Sequence, residues 1–337
     1  MTKEDILSNY LKPSQRLVDD IAKIEGDILI LGAGGKMGPA MAELAQDAIN
    51  EGGLDKKIIA VSRFSESSVS DRLKSSGIEV IKADLLNDRD LGKLPEIPNV
   101  IYLAGHKFGT SGNESYTWIM NSYLPGKIAE KFQKSNIVIF SSGNVYPLSP
   151  VVNGGTIEDD PASPIGEYAQ SCLGRERIFE YFSRKNSTPM LIYRLNYAND
   201  VTYGILLEIA NSVQKGKEIN LTMGNVNVIW QGDANEFAIR ALLHCSAPPK
   251  LLNVTGPETI SVRWIALEFG KVFNKTPKFI GIEESNSLLS NAAECFKLFG
   301  YPNISLKQMI ELVGCWLIEG GKIINKPTHF QEREGVF

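Results

Sequence analysis

Residues 27–38 read Asp27-Ile28-Leu29-Ile30-Leu31-Gly32-Ala33-Gly34-Gly35-Lys36-Met37-Gly38. The aliphatic run suits a strand covered on both faces. Glycines at 32, 35 and 38 then interrupt it with G-x-x-G-x-x-G spacing, just before the helix-forming residues 39–48. A strand that turns sharply into a helix aims the first free amides and the positive end of the helix dipole at whatever lies over the turn. One glycine permits the turn, one lets the main chain approach a diphosphate closely, and one packs the helix on the strand. The stretch predicts a dinucleotide-binding turn, with Gly32, Gly34, Gly35, Lys36, Met37 and Gly38 around the diphosphate.

Outward from this turn, apolar runs recur at 28–31, 58–61, 80–81, 100–104, 137–140 and 190–193, each followed by a polar or amphipathic stretch. Such alternation predicts an α/β fold, a doubly wound parallel sheet of the Rossmann type, over residues 27–195. After Arg194 the alternation loosens, with helices expected around 203–215, 233–244, 262–273 and 305–319 and an apolar segment at 226–231. A smaller C-terminal substrate lobe, 196–337, interleaved with the last sheet strands, is the expected arrangement. Residues 1–26 carry Ile6, Leu7, Leu11, Leu17, Val18, Ile21 and Ile24 at spacings of three and four around Pro13, which predicts a helical extension that packs on the rest.

The 337 residues, 43% hydrophobic and 22% charged, suffice for a large core, and a net charge of −4 argues against general binding to nucleic acid or anionic membranes. Cys172, Cys245, Cys295 and Cys315 are far apart with no C-x-x-C pair and there are three histidines, so no metal site or disulfide framework is indicated. Charges break up the N-terminal segment, and no stretch reaches the roughly 18 apolar residues of a membrane span. A cytoplasmic protein is expected.

About thirty residues after Gly32, where the second strand should end, the chain reads Ala60-Val61-Ser62-Arg63-Phe64. An NAD site usually places a carboxylate there for the ribose 2′-hydroxyl, whereas a 2′-phosphate needs that carboxylate absent and a cation nearby. Ser62 and Arg63 fit NADP, with NAD as the alternative.

Further along, Ala83-Asp84-Leu85, Leu103-Ala104-Gly105, Asn121, Phe140-Ser141-Ser142-Gly143-Asn144-Val145-Tyr146 and Glu167-Tyr168-Ala169-Gln170-Ser171-Cys172 follow in order. Over residues 27–245 this series resembles the extended short-chain dehydrogenase/reductase family, which includes nucleotide-sugar epimerases and dehydratases. The resemblance implies cofactor contacts from Asp84, Leu85, Leu103, Ala104, Gly105, Asn121, Tyr168 and Cys172. It also implies Tyr168 as acid/base and Ser142 as its hydroxyl partner. The Asp-Glu pair of the family's dehydratases is replaced by Gly143 and Asn144, which disfavours dehydration and leaves epimerisation or carbonyl/alcohol interconversion.

The family's Y-x-x-x-K here reads Y-x-x-x-C. A cysteine brings no positive charge, and an unassisted phenol with a reference pKa near 10 is ionised to only about one part in a thousand at neutral pH. Lys107 and His106, in the loop after the fourth strand, are the candidates to compensate, with Arg175, three residues past Cys172, as a weaker one.

On the substrate side, Asn144, Arg194, Trp230 and Gln231 are the candidates. The family's R-x-x-N-x-x-G-P is absent after Arg194, Asp233 is expected to cap a helix, and His329 is either a lid contact or a surface residue. The expected function is NAD(P)-dependent hydride transfer on a sugar or nucleotide-sugar, by an epimerase or oxidoreductase, and the resemblance implies the homodimer common in such families. The rival reading is a noncatalytic NADP-binding regulatory or interaction module.

Overall fold

Seven strands lie parallel in one sheet: β1 (Ile28–Leu31), β2 (Ile58–Ser62), β3 (Glu79–Lys82), β4 (Asn99–Tyr102), β5 (Asn136–Ser142), β6 (Met190–Leu195) and β7 (Lys250–Val254), in the spatial order β7-β6-β5-β4-β1-β2-β3. The order reverses at β1, and the crevice this leaves between β1 and β4 opens at the carboxyl ends of the strands. The computed structural model describes residues 12–107, 109–324 and 326–336.

Helices cover both faces, as strands of uninterrupted apolar residues require. On one face α1 (Gln15–Lys23), α2 (Gly38–Glu51) and α6 (Gln231–Arg240) pack together. The core there joins Leu17 and Ile21 to Ile28, Met41, Ala45, Phe237 and Leu252. On the other face α3 (Leu124–Lys131) and α4 (Gly166–Asn186) enclose Leu29, Tyr102, Ile128, Phe179 and Ile192. A separate core joins α5 (Ile205–Lys215), α7 (Val262–Phe273) and α8 (Leu306–Ile318). The chain leaves the sheet after β6, builds α5 and α6, and returns to add β7 at the edge beyond it.

The N-terminal expectation divides. Ile6, Leu7 and Leu11 lie outside the described residues. After Pro13, Ser14 caps α1 by accepting from the Leu17 amide, and the Asp20–Arg240 ion pair (2.7 Å) fastens α1 to α6. The expected strand at 100–104 ends at Tyr102, which leaves residues 103–107 as an open loop. Asp233 does not cap its helix. Trp230 stands at that position, and the Asp233 carboxylate instead accepts from the Asn303 and Ile304 amides and from Asn303 Nδ2, tying a distant loop to α6. Among the described residues no helix is long and apolar enough to cross a membrane, and no cluster of His, Cys, Asp and Glu could hold a metal.

Candidate active site

The turn after β1 is set by three close approaches. Gly32 has φ 90°, and a Cβ there would stand 2.7 Å from the Ala104 amide nitrogen. A Cβ on Gly34 would meet Ser62 Oγ at 2.7 Å, and one on Gly38 would meet Ala33 Cα at 2.5 Å. Bare backbone is therefore required where β1, β2 and β4 converge. The Gly32 and Ala33 amides donate to Val61 O, which fixes the turn to β2. Over it lies a cleft of about 350 Å³ lined by Gly32, Gly34, Gly35, Ser62, Arg63, Phe64, Asp84, Leu85, Leu103, Ala104 and Gly105, with Glu66 also in its wall. Glycine backbone and apolar side chains beside a few polar and charged ones suit a dinucleotide, and the cradle fits one.

A second hollow of about 210 Å³ lies between the sheet and the C-terminal elements. Lys36, Met37, Lys107, Ser142, Asn144 and Tyr168 line it from the sheet side; Asn196, Tyr197, Tyr203, Gln231 and Thr328 line it from the other. Ser142 ends β5, where its Oγ donates to Asn144 Oδ1 (2.8 Å) and accepts from the Asn144 amide (3.2 Å). Ser142 and Cys172 both lie close enough to the Tyr168 hydroxyl to shift its ionisation, Ser142 down and Cys172 up. Two non-glycine residues hold left-handed backbone at these hollows, Phe64 (φ 43°) in the cleft and Tyr197 (φ 48°) in the chamber, the kind of strain that clusters at ligand sites.

The electrostatics follow from burial. Burial first, then the Cys172 thiol, hold the Tyr168 hydroxyl well above the ordinary phenol range; Arg175 and Ser142 pull it down without cancelling that. Burial likewise raises Cys172. Lys107 Nζ stands 5.3 Å from the Tyr168 ring centre, and burial lowers it to about 8. Lys36, whose Nζ lies over the Tyr203 ring, is pulled down to about 7 by burial and then by Lys107 and Lys326.

Several expected placements are corrected. Cys172 and Asn121 expose no surface, so neither can touch a bound cofactor. Asn121 instead holds the loop after β4 to α4. It accepts from the His106 amide and Arg175 Nη2, and donates to His106 O and Ser171 Oγ. Arg194 is not a substrate contact: its guanidinium, 3% exposed, is taken by both Glu176 oxygens and by Tyr146 Oη. His106 turns its ring to Thr117 Oγ1 and Tyr116, outside the chamber lining, which leaves Lys107 as the cation facing Tyr168. Arg175 is sealed beneath, donating to Phe140 O and Asn121. Lys36 lines the chamber, not the cleft. Trp230 is buried at 3% exposure and, with Gln231, borders a third hollow of about 500 Å³ that shares Lys36 with the chamber. At the C-terminus Thr328, next to His329, is the residue that reaches the chamber, held by Glu208. Asn196, Tyr197, Tyr203 and Thr328 carry no motif and were not legible as site residues.

A glycine-lined turn after β1, with a serine at the end of β5 and a buried tyrosine on α4, is the arrangement of NAD-dependent enzymes built on this sheet. Residues 28–227 match the NAD dependent epimerase/dehydratase family, and the chain belongs to that family. No curated protein matches the sequence. Among solved structures the chain is similar to a UDP-glucuronic acid 4-epimerase from Bacillus cereus in complex with NAD, at TM-score 0.72 and 18% identity, covering 88% of this chain and 100% of that one. It is also similar to a UDP-glucose 4-epimerase from Thermus thermophilus in complex with NAD, at TM-score 0.69 and 16% identity over 86% and 97%. An epimerase from Methanothermobacter thermautotrophicus gives 0.71 and 16% over 91% and 96%. These likenesses establish the shared fold.

Proposed function

We propose that the protein is an NAD(P)-dependent epimerase or oxidoreductase that oxidises and reduces a sugar or nucleotide-sugar hydroxyl in the chamber beside Tyr168. The observation that carries this reading is that Tyr168 and Ser142 face one hollow, with Lys107 over the phenol ring. A nicotinamide bound over the turn would supply the hydride acceptor and donor. Ser142 orients the reacting oxygen, and Tyr168 gives or takes its proton at Oη. Tyr168 rests protonated, because burial opposes its phenolate; the Lys107 ammonium over the ring face favours the charge that develops as the proton leaves. Lys107 thus supplies from the β4 loop the positive charge that position 172 lacks.

We further propose NADP as the preferred cofactor, since Ser62 and Arg63 border the cleft where a 2′-phosphate carrier needs a cation. The solved relatives that carry NAD support the alternative. A homodimer would cover Trp118, Ile119, Tyr123 and Tyr181, which stand 37–59% exposed on the helices before and within α4. A cytoplasmic setting suits four free cysteines.

The test is a turnover screen over sugars and nucleotide-sugars with each cofactor, comparing the natural protein with Tyr168→Phe. Turnover that falls about 10²- to 10⁴-fold in the variant while cofactor affinity holds supports the reading. Cofactor binding with no turnover on any compound favours the noncatalytic module that the missing lysine suggests.

A further inference from the structure

The chamber has an uneven charge. Two ammonium groups, Lys36 and Lys107, line it, and among its described lining residues there is no carboxylate; the rest are serine, threonine, tyrosine and amide side chains with apolar or main-chain surface. Lys326 adds a third positive charge close enough to act on Lys36. The carboxylate that opposes Lys36 is Asp200, and it is already engaged. Its Oδ1 accepts from the Thr202 and Tyr203 amides and from Thr202 Oγ1, and its Oδ2 accepts from Gln231 Nε2. All this occurs in a protein whose net charge is −4. Neither lysine borders the cleft over the glycine-rich turn, where backbone amides serve a diphosphate.

From this we infer that the substrate carries an anionic group, a carboxylate or a phosphate ester, on the reacting sugar itself, held between Lys36 and Lys107 while its hydroxyls meet Ser142, Asn144 and Thr328. The inference rests on the proposed sugar chemistry at Tyr168 and narrows its substrate class. Two partly buried ammonium groups facing one small hollow repel each other, and an anion between them removes that repulsion and forms charge-assisted hydrogen bonds. The groups acting on Lys36 are Lys107, Lys326, Asp200 and the Tyr203 ring; those on Lys107 are Lys36, Cys172 and the Tyr168 ring. Lys36 at about 7 and Lys107 at about 8 are partly deprotonated near neutrality, so an anion should draw protons onto them as it binds.

Calorimetry on the full chain tests this with matched probes: D-glucuronate against D-glucose, D-galacturonate against D-galactose, and D-glucose 6-phosphate against D-glucose. At least one anionic member should bind about tenfold or more tightly than its neutral partner. The first two pairs report a carboxylate and the third a phosphate. The preference for the anionic member should shrink in Lys36→Met, and binding at pH 7.5 should take up protons when compared in two buffers of different ionisation heat. Equal affinity within every pair, no binding by any anionic probe, or a preference undiminished in Lys36→Met overturns the inference. Cofactor heats on the same preparation are read separately: their absence counts against the proposed enzyme, whereas intact cofactor binding with no anion preference counts against the charged substrate alone.

Discussion

Lys107 Nζ stands 5.3 Å from the centre of the Tyr168 ring, while Cys172, one turn along the same helix as Tyr168, raises the pKa of its hydroxyl. The Lys107 cation reaches the ring from the β4 loop, while the thiol and the Arg175 guanidinium, which lowers the phenol pKa, both come from α4. Lys107→Met should lower turnover about 10²-fold or more and Lys107→Arg should restore part of it, with cofactor affinity unchanged in both. Steady-state rates beside calorimetry check this; a Met variant as fast as the natural protein would remove Lys107 from the mechanism.

Restoring the familiar lysine should do harm. Position 172 has no exposed surface and faces the buried Arg175 guanidinium and Lys107, so an ammonium there adds a third positive charge to an enclosed volume. Cys172→Lys is expected to lower the melting temperature and leave turnover no higher. A faster and equally stable variant would mean that the site has decayed from an ancestral lysine.

Arg194 should report on stability. It and Glu176 are 3% and 2% exposed and bonded at 2.7 Å, so Arg194→Met leaves a buried carboxylate without its partner and should cost about 3–5 kcal/mol in denaturant unfolding. Where enough folded variant survives, its KM should match the natural protein's; a raised KM at unchanged stability would return Arg194 to the substrate side.

Arg63 should separate the two cofactors. Arg63→Ala is expected to weaken NADP by about tenfold or more and NAD by little, because only the 2′-phosphate needs the guanidinium. Titration of both dinucleotides measures it, and equal losses would leave Arg63 as a surface charge.

Lys36 predicts a pH-dependent gain. Burial, then Lys107 and Lys326, pull its folded-state value from 10.5 to about 7, so the unfolded chain binds more protons between those values and stability rises with pH across that window. The full cost of the buried charge is present below pH 7. Lys36→Met should therefore raise the melting temperature most at pH 6, and the gain should fade toward pH 10. A gain that is flat with pH, followed by scanning calorimetry, would contradict this.

The sheet was legible because each strand is a short apolar run bounded by polar segments, and the turn because glycine alone tolerates the approach at Gly32, Gly34 and Gly38. Lys107 was legible from its place just past β4. What escaped depends on partners distant in sequence. Arg194 read as a ligand because its partner, Glu176, sits on another element. Asp233 read as a cap because residues 303–304 could not be foreseen beside it. The far wall of the chamber joins Asn196, Tyr203 and Thr328, which no local pattern links.

The late arrival of β7 has a practical and biological consequence. During synthesis, the outer edge of β6 has no neighbour until residues 250–254 have emerged, so a nascent or truncated chain ending near 195 presents a bare row of amides and carbonyls to other molecules. An expression fragment cut at the apparent end of the nucleotide-binding half should aggregate. The smallest stable piece must carry the excursion through α5 and α6 that brings the edge strand home.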